Sequence, residues 1–462
     1  LKTSKWIKEN SAVCELTNYP VQSITKDKLY NSALKLYSIK EGLEKFLSTK
    51  TNELFDLQDK IYLYDLTNTY FEGEKRNSKL AKYGRSKEKR TDAKLVVLAM
   101  VVNTEGFIKY SSIYEGNMSD CKTLSNTIDN LRSSTSNHSN KAIIVMDAGI
   151  ATEENIAMVK NKGYDYLCVN RNKINKYESE NSETIKTVYD KKQQAISLHK
   201  VTVQNKSDYF IKVKSTAKAV KESAMHKQFQ QRFEDGLKSI EKSLTKKNGI
   251  KKSKKVYERI GRLKQKYPSI QRHYEINIEI DSTKELVTAI KWNIKNEVEV
   301  NQNQGVYFLR TSLEIENEET IWKIYNSIRE IEYTFRVLKT DLNLRPIYHK
   351  NDESTMAHLH LGLLAYWLVN TIRYQLKNKE INIHWPEIVR IATTQKAITT
   401  TAKNVNQQTV TIRQCSEAES KLEKIYQTLN YKHKPFSRKK FVGLKPEIKK
   451  IEDYISMPFR GG

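Results

Sequence analysis

The feature that most constrains this chain is a block of β-patterned segments over 61–116 that gives way to helix–strand alternation over 123–171. In "KIYLYDLTNTYF", Ile61, Leu63, Asp65 and Thr67 share one strand face, and Tyr62, Tyr64 and Leu66 share the other. "AKLVVLAMVV" and "GFIKYSSIYEG" read as two more strands joined by "NTEG", a hairpin-type turn. "TLSNTIDNLRSS" is helical, and "KAIIVMDAGI" is a continuous apolar run of the kind found in a strand covered on both faces. "TEENIAMVKNKG" is a helix opened by Thr152 and closed by Gly163, and "YDYLCVNR" is another strand. Strands, helix, strand, helix, strand predict a mixed α/β (α+β) layer fold.

Two of these strands carry an aspartate where burial is costly without a partner. Asp65 lies inside the first, and a frayed strand end or a hydrogen-bonded Asp–Thr turn is the ordinary alternative for it alone. Asp147 ends "IIVMD", just before Ala148 and Gly149, which let the backbone turn sharply. A third carboxylate comes from "EETIWKIYNSIREIEYTFRVLKTDL", expected as one amphipathic helix over 318–342. Ile321, Tyr325, Ile328, Glu332, Phe335 and Lys339 form one stripe along it, which places Glu332 on the face expected to pack on a sheet. The alternative for Glu332 is an i, i+4 pair with Arg336. Three converging carboxylates repel one another unless a cation balances them. Oxygen-only ligands suit Mg²⁺, with Mn²⁺ able to substitute, so Asp65, Asp147 and Glu332 are the expected metal ligands and catalytic groups. The matching chemistry is phosphodiester cleavage and transfer, with Lys339 within reach of a phosphate.

The charge points the same way. Eighty Lys and Arg against 54 Asp and Glu leave +26, an excess that favours a polyanionic partner. Twelve of these cations, against two acids, crowd into 238–266, where the choice is between a solvated helical face and phosphate contact. A membrane partner is not expected, because the most apolar stretch, "HLHLGLLAYWLVNTI", falls short of the ~20 residues a span needs. No signal peptide is evident before residue 30, and the chain opens on Leu1 rather than Met, as a fragment would. Cys14, Cys121, Cys168 and Cys415 are scattered, with no metal spacing, and read as buried thiols of a cytoplasmic protein. His349, His358 and His360 read as structural or surface residues.

At its carboxylates the sequence resembles the DDE transposases of bacterial insertion sequences, in the group named after insertion sequence four. "YDLTNTYFEG" is similar to that family's first-aspartate strand, and "YGRSKEKRTDAKLVVLAMVVNTEGF" to the segment after it. "VMDAGIATEENI" resembles the second-aspartate block, and "IEYTFRVLKTDLNLRPIYH" the glutamate helix and its exit. The resemblance implies an RNase H-like catalytic core interrupted by a mainly β insertion. It divides the chain into a helical DNA-binding segment (1–57), the first part of the core (58–171), the insertion with its basic helical stretch (172–312), the second part of the core (313–378) and a helical, basic tail (379–462). The family signature of Tyr, Arg, Glu and Lys on the glutamate helix falls on Tyr325, Ile328, Glu332 and Lys339. Ile328 replaces the Arg, and Arg329 or Arg336 would take over its phosphate contact. The resemblance also implies a base-stacking aromatic from the insertion, for which Trp292 is the candidate against its reading as a core residue.

These expectations add up to a cut-and-paste transposase. It would bind duplex DNA at terminal inverted repeats and target sites, act as a homodimer on the nucleoid, and need no small-molecule cofactor. The rivals are an RNase H-like nuclease or resolvase without strand transfer, and a DNA-binding protein with a dead site. A glycosidase on paired carboxylates would have no use for the positive charge.

Overall fold

The computed structural model of the 462-residue chain describes residues 2–443 except 89, 120–121, 135–141, 173, 175, 180–184, 191, 282–283, 296–303 and 437. Cys121 and the basic tail beyond Gly443 therefore lie outside the described residues, while Cys14, Cys168 and Cys415 are buried free thiols. The chain forms two compact units, one of residues 1–142 and 327–462, the other of residues 143–326.

The first unit opens with four helices, α1 (Lys2–Asn10), α2 (Val13–Leu16), α3 (Lys26–Ser38) and α4 (Lys40–Phe55). An antiparallel sheet follows, β1 (Ile61–Tyr70), β2 (Leu95–Asn103) and β3 (Ile108–Glu115), with Asp65 opposite Met100 and Ala99 opposite Ser112. Every residue of β2 is buried, as its unbroken apolar sequence requires. The β2–β3 turn needs Gly106, whose φ of 80° lies in the left-handed region. Helix α5 (Leu124–Ser134) is tied to β1 at its start, where the Tyr64 and Thr123 hydroxyls are 2.6 Å apart.

In the second unit β4 (Ile143–Met146) runs parallel to β5 (Asp165–Val169), with α6 (Glu153–Asn161) as the crossover. The Thr152 hydroxyl caps α6 by accepting from the Asn155 amide at 3.2 Å, as the sequence predicts. Further strands are β6 (Glu178–Ser179), β7 (Lys186–Tyr189), β8 (Ala195–Thr202) and β9 (Tyr209–Ser215). The basic helical stretch expected within the β-rich insertion lies on the end of a 30-residue helix, α7 (Thr216–Thr245), and on α8 (Ser253–Lys266), followed by α9 (Pro268–Gln271). The remaining elements are β10 (Tyr274–Asp281), β11 (Leu286–Ile294), β12 (Val306–Thr311) and α10 (Glu318–Asn326). Strand β12 pairs with β5 on one side and β9 on the other, and β8 continues from β9, so the inserted strands extend the sheet begun by β4 and β5. Strands β10 and β11 form a separate hairpin that buries Val287 and Ile290 against Ile240, Leu244, Val256 and Ile260 of α7 and α8.

The chain returns to the first unit at Ser327. Helix α11 (Arg329–Arg336) runs into a π-helical turn, Val337–Asp341, and α12 (Asp352–Lys377) follows. The predicted single helix over 318–342 is therefore interrupted at Ser327–Ile328. Asn326 donates its side-chain amide back to the Trp322 carbonyl at 2.8 Å, a local bond that competes with continued helix. Helix α12 is buried through Leu359, Leu363 and Tyr366, and the Tyr366 hydroxyl donates to the Gly106 carbonyl at 3.0 Å. No helix among the described residues is long and apolar enough to cross a membrane. The tail holds α13 (Trp385–Ala392) and α14 (Ser420–Leu429), and also a three-stranded sheet of β13 (Ala397–Lys403), β14 (Thr409–Cys415) and β15 (Lys439–Val442).

Candidate active site

Asp65 sits at mid-strand in β1 with its side chain 20% exposed. Its Oδ1 accepts from the Leu66 amide at 2.7 Å and lies 3.9 Å from the Lys87 ammonium. Lys87 also donates to the Leu66 carbonyl at 2.5 Å, so its tip is anchored to the strand that carries the aspartate. The segment bearing Lys87 is held in place by glycine packing: a Cβ on Gly84 would stand 2.2 Å from the Gly116 carbonyl oxygen. The Asn68 side chain completes the attachment, donating to the Arg85 carbonyl at 2.9 Å.

Lys339, on the π-helical turn after α11, reaches the same place. Its ammonium donates to Glu88 Oε1 at 3.3 Å, and that carboxylate is also paired with Arg345. Burial, with Lys87 nearby, pulls the Lys339 amine down to about 8, against the opposing pull of Asp65. The first unit thus brings together Asp65, Lys87, Glu88, Lys339 and Arg345. Of these, sequence reasoning missed Lys87, Glu88 and Arg345. The charge run "SKEKR" and the "LRPIYH" exit were the available signals, but charge runs are common on solvated surfaces.

Glu332 departs from expectation. It is exposed on α11, whereas Ile328, Ile331, Thr334, Phe335 and Leu338 are buried. The predicted stripe is correct at Ile328 and Phe335, but the buried face is centred on Ile331, one position (about 100°) from Glu332. Arg329 and Arg336 are exposed too, and the Arg336 guanidinium lies 4.8 Å from the centre of the Tyr333 ring.

In the second unit, Asp147 follows β4 and is exposed. Its Oδ1 accepts from the Ala148 amide at 2.7 Å, and its carbonyl accepts from Ile150 and Ala151 in the turn that the small residues permit. Tyr325 is half-buried on α10, its ring 6.5 Å from that of Tyr307. Trp292 on β11 is half-buried against the cores of the β10–β11 hairpin and the α7 and α8 helices, with Phe233, Leu237 and Ile270 among its neighbours. That environment gives it the packing contacts of its alternative reading as a core residue.

Among the described residues, no three His, Cys, Asp or Glu side chains are grouped as a metal site. The donor chemistry of Asp65, Asp147 and Glu332 nonetheless fits a hard divalent cation: all are carboxylates, and each is at least partly exposed. His349, His358 and His360 do not form an alternative. His349 and His358 pack at a tilt with ring centres 5.0 Å apart, and His360 is fully buried, with burial lowering the pKa of all three.

No curated protein matches the chain. Residues 57–368, well over half of the chain, match the Transposase DDE domain family, with its mixed α/β, RNase H-like fold, and the chain belongs to that family of DNA transposases.

Proposed function

We propose that the protein cuts DNA at the ends of its element and joins the freed 3′ hydroxyls to target DNA, using Asp65, Asp147 and Glu332 as the ligands of Mg²⁺ or Mn²⁺. Bound there, the cation would supply Lewis acidity to the attacking and leaving oxygens. Asp65, partly desolvated in β1, would be the fixed ligand of the set, while the exposed Asp147 and Glu332 would complete it. Lys339 would hold a phosphate oxygen near the reacting bond, and the exposed Arg329 and Arg336 would contact neighbouring phosphates. Tyr325, on α10, would approach the DNA with them. The basic α7–α8 region and the N-terminal helices would grip the terminal repeats, and two ends cut together would call for a homodimer.

The observation that carries this reading is the placement of Lys339 and Lys87 beside Asp65. A carboxylate expected to bind metal and two cations able to bind phosphate, one from the following segment and one from the turn after α11, meet beside strand β1. The test is cleavage of a labelled duplex carrying the DNA that borders the gene, with Mg²⁺, Mn²⁺ or EDTA, comparing wild type with Asp147→Ala. Metal-dependent nicking at the boundary, absent in the variant, is expected, followed by joining to a second duplex. Cutting without joining would favour a nuclease, and tight binding without cutting would favour an inactive DNA-binding protein.

A further inference from the structure

We propose that Lys87, Lys339 and Arg345 form a subsite for one phosphodiester group of the DNA, and that Glu88 is the positioning residue that gathers them. This deepens the transposase reading and rests on it. Glu88 Oε1 alone receives both Lys339, at 3.3 Å, and the Arg345 guanidinium. One carboxylate oxygen thus gathers two cations from a segment of the chain far from its own. An ammonium has three N–H donors and a guanidinium five, so a shared carboxylate oxygen leaves most of their donors for an anion.

Charge is complementary to an anion: with Asp65 committed to the metal, Lys87, Lys339 and Arg345 against Glu88 leave a net positive charge for a phosphodiester. Lys339, Glu88 and Arg345 are not fully solvated, with side chains 12%, 19% and 29% exposed, so salt screens them less than surface pairs, while Lys87 is the more open member at 47%. Lys87 fixes its position relative to β1 through the Leu66 carbonyl. A phosphate gathered here lies beside Asp65, where the proposed chemistry needs it.

The test measures binding of a labelled duplex by the full chain across a series of salt concentrations, and needs no cleavage. Arg345→Ala and Lys87→Ala should each weaken binding and lower the slope of log K against log salt, each by less than the ~0.9 that one whole phosphate contributes. In a Glu88→Gln background the effect of Arg345→Ala should shrink to less than half, because the guanidinium is no longer held, a coupling that a merely structural role would not produce. Should Glu88→Gln fail to fold, as judged by circular dichroism, Glu88→Asp replaces it, with the same shrinkage expected from the shorter reach. Unchanged slopes in Arg345→Ala and Lys87→Ala would overturn the subsite, and equal Arg345→Ala effects in both backgrounds would overturn the role of Glu88. A wild-type protein that binds but never cuts would count against the transposase reading while this binding comparison still decides the subsite.

Discussion

Lys109 on β3 and Asp59, just before β1, form an ion pair 2.8 Å long with side chains 0% and 4% exposed. Asn52 of α4 closes the pair, donating to Asp59 at 2.7 Å and accepting from Lys109 at 2.6 Å, while Asn103 donates to Asp59 at 3.3 Å. Burial lowers the Lys109 pKa, and Asp59 opposes that shift. The pair ties the N-terminal helices to the sheet that carries Asp65. Removing one member strands the other, so Lys109→Met should cost about 3–5 kcal/mol in urea unfolding. The Lys109→Met/Asp59→Leu double variant should lose less than the sum of the two single changes. Additive losses would mean that the two groups do not act as a pair.

Local patterns were legible where they act within one element. The apolar runs of β1, β2 and β4 and the Thr152 cap were all readable, because side-chain alternation and capping depend on near neighbours. The interruption at Ser327–Ile328 was not, since heptad spacing carries no sign that Asn326 will turn its amide back on Trp322. Nor did the sequence show that Glu332 lies off the buried stripe: Ile328 and Phe335 are compatible with a face centred on either side of it. Lys87, Glu88 and Arg345 come together only through tertiary contacts between segments far apart in the chain. The inserted strands β9 and β12 likewise read as a separate β body, because pairing with β5 is a long-range choice.

Trp292 distinguishes packing from DNA stacking. As a half-buried member of the hairpin core, Trp292→Ala should destabilise the protein by about 2–4 kcal/mol. Trp292→Phe should recover much of that loss. Duplex affinity, measured well below the melting temperature, should be unchanged in Trp292→Phe. A loss of affinity in a Trp292→Ala protein of normal stability would favour the stacking role instead.

The histidines give the first unit a sensitivity to mild acid. Burial, with His358 and Lys75 nearby, brings His349 down to about 4, and burial, with Lys40 nearby, does the same for His360. Both folded values lie below the ordinary value of about 6.5, so the unfolded chain takes up protons first. Stability from the neutral rings is complete above pH ~6.5 and drains away as pH falls towards about 4. Among the described residues the His360 ring nitrogens have no hydrogen-bond partner, so His360→Leu should keep or raise stability at pH 7. It should also flatten the decline of the unfolding midpoint between pH 7 and 5. An equally steep decline in the variant would assign the acid response to other groups.

A stronger acid threshold belongs to the second unit. Glu153, the first residue of α6, accepts from Arg310 at 2.8 and 2.9 Å and from Lys206 at 2.9 Å, and these bonds hold its pKa at about 2. Arg310 is itself buried and shared with Asp208. Asp208 is pushed up by its own burial, but hydrogen bonds from Lys160 and Arg310 win and keep it below the usual carboxylate value. Both folded values are depressed, so this stability is present above pH ~4.5 and is lost as pH falls from there towards about 2. Glu153 is 66% exposed, which limits its own share, so Glu153→Gln should lower stability slightly at pH 7 and soften the acid transition. Arg310→Met should be far more costly, about 3–5 kcal/mol, because it leaves the buried Asp208 without its guanidinium. Unfolding curves at pH 7 and pH 3.5 separate the two effects: the Arg310 loss should be largest at pH 7 and shrink at pH 3.5, where Asp208, left with Lys160 as its cation, can more readily take up a proton. A loss that stays constant between the two pH values would show that Arg310 acts by packing over the Phe210 ring rather than by charge.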